Sequence, residues 1–165
     1  MERIAEVAAA NKQLIFHYFG SKDGLYAAAV GATFASTPQP ASGPVLPPEA
    51  VRRQVSDLAA WLERTPGAAV AIAECAPGRV APADAQALVA AWRASQVSIL
   101  RQLIDDGQRQ GHFRDDVDGQ AVAEMVIASA VGRSAFGAPV PSGQPGAVGF
   151  PGFLAALVVD ACAWR

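Results

Sequence analysis

Lys12, Gln13, Phe16 and His17 follow one another at intervals of one, three and one. With about 3.6 residues per turn, a helix collects all four on one side and leaves Leu14, Ile15 and Phe19 facing the interior. The four outward side chains suit base edges. A glutamine amide pairs bidentately with adenine, a lysine reaches guanine or a phosphate, and a phenyl ring meets the thymine methyl. Tyr18 and Lys22 place a hydroxyl and an ammonium where they hold phosphates. Asn11 stands at the helix start, where its side chain can accept from free first-turn amides.

Such a helix needs a scaffold, and the neighbouring residues spell one. Residues 2–9 read as a short helix with Ile4, Ala5 and Ala8 on one side. Asn11 opens the second helix, through residue 18, and Gly20 stops it, because glycine tolerates a left-handed C′ position. Ser21 caps a third helix with Leu25 and Val30 facing inward, running to about residue 36. Two short helices joined tightly can set the second into the major groove of DNA.

Residues 4–25 resemble the DNA-binding head of the TetR family of transcriptional regulators. The likeness lies in the Ile4-Ala5 pair, the capped helix ending Phe16-His17-Tyr18-Phe19, and the passage Gly20-Ser21-Lys22-Asp23-Gly24-Leu25. Residues 103–118 are also similar to the family's common passage from the seventh to the eighth helix. The resemblance implies an all-α protein: a helix-turn-helix head on a helical effector-binding and dimerisation body. It implies a homodimer paired through its last two helices. A small-molecule effector in the body would release the protein, a repressor, from double-stranded operator DNA. Asn11, Lys12, Gln13, Phe16, His17, Tyr18 and Lys22 would carry the DNA contacts.

The chain departs from the family pattern at three places. Ala9 occupies the turn glycine, where a positive φ costs roughly 1 kcal/mol without glycine. Phe16 replaces the usual first tyrosine and removes one phosphate hydrogen bond. Three residues precede Ile4 where the family has a further helix, so the head reads as truncated, with Ile4, Leu14, Ile15 and Phe19 losing cover. Charge is thin as well. Arg3, Lys12 and Lys22 are matched by Glu2, Glu6 and Asp23, and charge dominates DNA affinity. These departures leave a second reading: a headless regulator fragment that dimerises and binds a ligand without stable DNA binding.

The remaining sequence reads as helices. The Pro-rich stretch 37–48 is a loop, with Pro48 placed to open the next helix. This divides the chain into a head, 1–36, and a ligand-binding and dimerisation body, 47–165. Val51, Val55, Leu58 and Leu62 form an apolar helical stripe that Pro66-Gly67 breaks. A short, nearly uncharged helix follows over 68–75. The longest helix spans about 83–110, stopped by Gly111. Asp118 caps another, residues 137–149 form a second Pro/Gly loop, and a last helix begins at Phe150 or Phe153 and reaches Trp164.

Trp61 and Trp92 lie on apolar stripes and are candidates to line a ligand pocket. The last two helices are apolar for a chain end. Val122, Met125, Val126, Phe153, Leu154, Leu157 and Val158 are therefore candidates for a dimer interface. With 165 residues, 52 % hydrophobic, and a net charge of −2, the chain can bury a sizeable core and is not a general polycation. Cys75 and Cys162 read as small buried side chains of a reducing compartment rather than a disulfide. No zinc-ligand run, nucleophile elbow or phosphate loop is present, so neither catalysis, metal nor cofactor is expected. No signal peptide or spanning segment is read either, which suggests a cytoplasmic protein without a membrane partner.

Overall fold

The computed structural model describes residues 2–40, 43–136 and 149–163. Among them every regular element is helical: α1 (Glu2–Val7), α2 (Lys12–Phe19), α3 (Lys22–Ala35), α4 (Pro47–Arg64), α5 (Pro66–Glu74), α6 (Ala83–Arg109), α7 (Gly119–Phe136) and α8 (Phe150–Cys162). The expected all-α architecture is what the chain adopts. Trp164 and most of the second Pro/Gly loop lie outside the described residues.

Local chemistry sets most boundaries. The Asn11 side chain accepts from Gln13 N at 2.8 Å, and the Ser21 hydroxyl accepts from Gly24 N at 2.9 Å. Both satisfy amides that a helix start leaves free. Asp118 does the same for Gln120 N and Ala121 N, at 2.9 and 3.2 Å. Gly20 and Gly111 close α2 and α6 at φ +69° and +72°. Two prolines act otherwise than expected. Pro47, not Pro48, is the first residue of α4. Pro66 opens α5 instead of breaking a helix, because a proline at the first position forfeits only an amide that has no partner there; the break falls at Thr65.

The core is built around α4, whose Val51, Val55, Leu58 and Leu62 are fully buried. It packs against α8, α6 and α7. The α6–α7 corner is fixed by close fit. A Cβ on Gly107 would stand 2.1 Å from the buried Phe113 ring, so only glycine lets that ring lie against α6. Arg114 N then donates to Cys162 O at 2.9 Å, pinning the end of α8. Outside this corner the Arg114 guanidinium grips Asp116. The hydrogen bond from Arg114 holds the Asp116 carboxyl below its usual range.

Helix α3 belongs to head and body at once. It packs on α2 at its start and on α5 and α6 along its length. Phe34 near its end is buried with Trp61 and Trp92, ring centroids 6.0 and 4.8 Å away. The Trp61 N–H donates to Ser36 Oγ at 3.1 Å and the Trp92 N–H to Thr37 Oγ1 at 3.0 Å. Two indoles therefore hold the point where the head's helix enters the body.

Candidate functional site

In the head, α1 lies against α2 and covers little more than Ala5 and Ile15, both buried. The expectation that Leu14 and Phe19 also face inward does not hold: they are 50 % and 38 % exposed, and Ile4 is open too. Two short helices and one turn of α3 offer too little apolar surface to cover them. The turn between α1 and α2 passes through Ala9 at φ +48°, the only positive φ at a non-glycine residue among those described. The turn thus keeps the glycine geometry without the glycine. Gly24 is essential in a different way. A Cβ there would meet the Phe19 carbonyl at 2.1 Å, so its absence lets α3 start hard against the end of α2.

Asn11, Lys12, Gln13, Phe16, His17, Tyr18 and Lys22 are all exposed. Asn11 spends its side-chain oxygen on the helix cap. His17 and Tyr18 rings meet edge to face, 5.6 Å apart. Lys12 is occupied: its ammonium donates to Glu2 Oε1 at 2.6 Å, across the turn. That hydrogen bond, and then the charge of Lys12, hold the Glu2 carboxyl below its ordinary value. Gln13, Phe16, His17, Tyr18 and Lys22 are left as the free face of the head.

A groove of about 1000 Å³ runs along the outer side of α6, walled by the end of α5 and the start of α7. Ala83, Ala87 and Ala90 pave one stretch, beside Ile72 of α5 and Ala76 just past its end. Arg93 follows, and among the described residues it makes no ion pair. Farther along, Arg101 is paired with Asp105 at 3.4 Å, and the Glu124 carboxylate accepts from the Gln120 amide at 2.7 Å. Trp61 and Trp92 do not line this groove; they are buried against Phe34. Sequence reasoning missed Arg93, although an arginine breaking into an alanine row at helical spacing is visible there.

Cys75, half-buried, lines the groove at the α5 end. Behind it stands Tyr26 of α3, whose hydroxyl is buried against the thiol without a well-formed hydrogen bond. Burial pushes both the Tyr26 hydroxyl and the Cys75 thiol up from their ordinary values. Cys162 is fully buried, and burial raises its thiol too.

The candidate interface residues divide by face. Val126, Leu154 and Val158 are buried in the chain's own core, which removes them from any surface open to a second chain. Val122 is half-buried. Met125, Phe153 and Leu157 remain outside, at 51 %, 58 % and 48 % exposure. The end of α7 is tied to the start of α8 by the Arg133 guanidinium, 5.0 Å from the Phe150 ring centre. Among the described residues no helix is long and apolar enough to cross a membrane, and no cluster of metal-ligating side chains occurs.

Residues 1–29 match the family described as bacterial regulatory proteins, tetR family. A curated relative, the HTH-type transcriptional repressor NicS of Pseudomonas putida, is 29 % identical over 121 residues. That alignment takes in 71 % of this chain but 57 % of the relative, so the chain aligns with little more than half of NicS. Among solved structures, a transcriptional regulator of the TetR/AcrR family from Thermobifida fusca has a TM-score of 0.72 at 19 % identity, covering 95 % of this chain and 83 % of its own. AibR, solved with isovaleryl coenzyme A and operator DNA, has a TM-score of 0.69 at 16 % identity, covering 98 % and 85 %. These two likenesses concern the fold. The first 29 residues thus match the tetR family of bacterial regulatory proteins by sequence, a curated repressor aligns along most of the chain, and the helical fold is that of solved regulators of this kind.

Proposed function

We propose that this protein is a DNA-binding transcriptional repressor that acts as a homodimer and is released from its operator by a small molecule. The observation that carries the reading is the free face of α2 and the first turn of α3. Gln13, Phe16 and His17 project from a capped helix, with Tyr18 and Lys22 flanking them. Asn11 fixes the helix start and Lys12 adds a cation once its pairing with Glu2 opens. Residues 1–36 form the DNA-binding head and residues 47–165 the body. The exposed Met125, Phe153 and Leu157 supply the surface on which two copies pair. The groove between α5, α6 and α7 receives the effector. Because α3 spans head and body, a shift at its anchor alters the spacing of two heads, and operator half-sites demand a fixed spacing. The fold supports regulation rather than catalysis, in the cytoplasm where the DNA is.

A second reading draws on the exposed Ile4, Leu14 and Phe19. Apolar side chains open to water weaken the head, and the chain would then dimerise and bind ligand without holding DNA firmly. Fluorescence anisotropy on DNA flanking the protein's own gene, across a salt series, separates the two. The repressor reading expects one sequence to bind far more tightly than scrambled DNA at physiological salt. Equal, weak binding to both would leave the second reading.

A further inference from the structure

The groove along α6 has a graded chemistry. From Ala83 to Ala90 its floor is methyl groups, about 10 Å along the helix, with Ile72 and Ala76 as the facing wall. Gln86 is the polar side chain on this stretch, and its amide is turned to the backbone, donating to Ala81 O at 2.9 Å. At the end of this stretch stands Arg93, without an ionic partner among the described residues. The next cation, Arg101, is about 12 Å further along α6 and is already paired with Asp105. Gly119 lies beside Ile104 and Asp105, so the antiparallel α7 brings Glu124 to the Arg101 end, away from Arg93. A short apolar track ending at one unpaired guanidinium matches a molecule with an apolar tail and one acid group.

We infer that this groove binds an amphipathic carboxylate, its tail over Ala83–Ala90 and its acid group on Arg93, and that Cys75 passes occupancy to α3 through Tyr26. The inference rests on the reading of the groove as the effector site. The tail lies against the wall that includes Cys75, and Tyr26 behind that thiol belongs to the helix that carries the head. A ligand that presses on Cys75 therefore moves the Tyr26 side of α3.

The test uses the full chain without DNA, so the DNA-binding reading can fail independently. Octanoate, octanol and octylammonium are titrated while tryptophan emission is followed, Trp92 being next to Arg93. In parallel, iodoacetamide modification of Cys75 is followed by mass spectrometry of the Cys75 peptide. Octanoate is expected to bind at least about tenfold more tightly than octanol, and octylammonium more weakly still. Octanoate alone is expected to slow alkylation of Cys75. Arg93→Gln, an exposed position that leaves the fold intact, brings octanoate to the level of octanol. Tyr26→Phe leaves octanoate affinity within about twofold but reduces its effect on amide exchange in α3. Equal binding of the three probes, or octanoate binding unchanged in Arg93→Gln, overturns the ligand class. Protection of α3 amides unchanged in Tyr26→Phe overturns the relay. A separate anisotropy titration on operator DNA reports release, and its failure bears only on the repressor reading.

Discussion

The Trp92 indole donates to the Thr37 hydroxyl at 3.0 Å, and that hydroxyl donates onward to the Phe34 carbonyl at 2.7 Å. The chain joins α6 to Thr37, two residues past the end of α3, across 55 positions of sequence. Thr37 is buried, so both bonds lie away from water. Replacing Thr37 by valine keeps the shape and leaves the indole N–H without a partner, a loss of about 1–3 kcal/mol. Urea unfolding is expected to show that loss for Thr37→Val. It should also show less than the sum of single losses for Thr37→Val with Trp92→Phe, since the donor is then gone as well. Strict additivity would mean the bond contributes nothing.

The same bond marks where sequence reading ends. Asn11, Ser21 and Asp118 are legible as caps because each meets an amide two or three residues away. Gly20 and Gly111 are legible because a helix stop is a local backbone event. Trp61 and Trp92 look like pocket-lining residues because an apolar stripe does not say what it packs on. Their partners, Phe34, Ser36 and Thr37, come from a distant segment. Leu14 and Phe19 fail for a related reason: periodicity gives the face they occupy, but not whether another element arrives to cover it. Arg93 is unremarkable as a residue type and gains meaning only when α5 and α7 wall in its helix.

Ala9 sits at φ +48°, where a Cβ crowds the backbone. Ala9→Gly removes that cost, about 1 kcal/mol, although part is returned because glycine gains freedom in the unfolded chain. The head is the expected beneficiary. Amide exchange over residues 4–25 should slow in Ala9→Gly, with α4 to α8 unchanged. Unchanged exchange in the head would mean the turn relaxes freely around the alanine.

Lys12 cannot neutralise a phosphate while it holds Glu2. In Glu2→Gln the ammonium is released, and DNA affinity is expected to rise. The steepness of its salt dependence should increase by about 0.9 in log–log slope, as for one added phosphate contact. Acid does the same to the native chain. The Glu2 carboxyl, lowered by its bond to Lys12, keeps the pair complete above the ordinary value of 4.5 and loses it as pH falls through the lower folded value. An NMR titration of the Glu2 carboxyl carbon should therefore show a midpoint below that of the Lys12→Met variant. Coincident midpoints would remove the pair from the account.

Leu157 and Met125 point outward from α8 and α7, each half open to water. In a two-fold pair every such side chain is buried twice, once from each copy. Losing the burial of its exposed half, about 1 kcal/mol per copy, Leu157→Asp is expected to raise the dimer dissociation constant at least about tenfold. An added like charge near the axis makes the loss larger. Because Leu157 is not part of the buried core, helix content should persist while sedimentation shifts to the monomer. Leu154→Asp makes the contrast: Leu154 lies in the chain's own core, so that substitution is expected to unfold the body rather than split a folded pair. A Leu157→Asp protein that still sediments as a dimer would place the interface on another face.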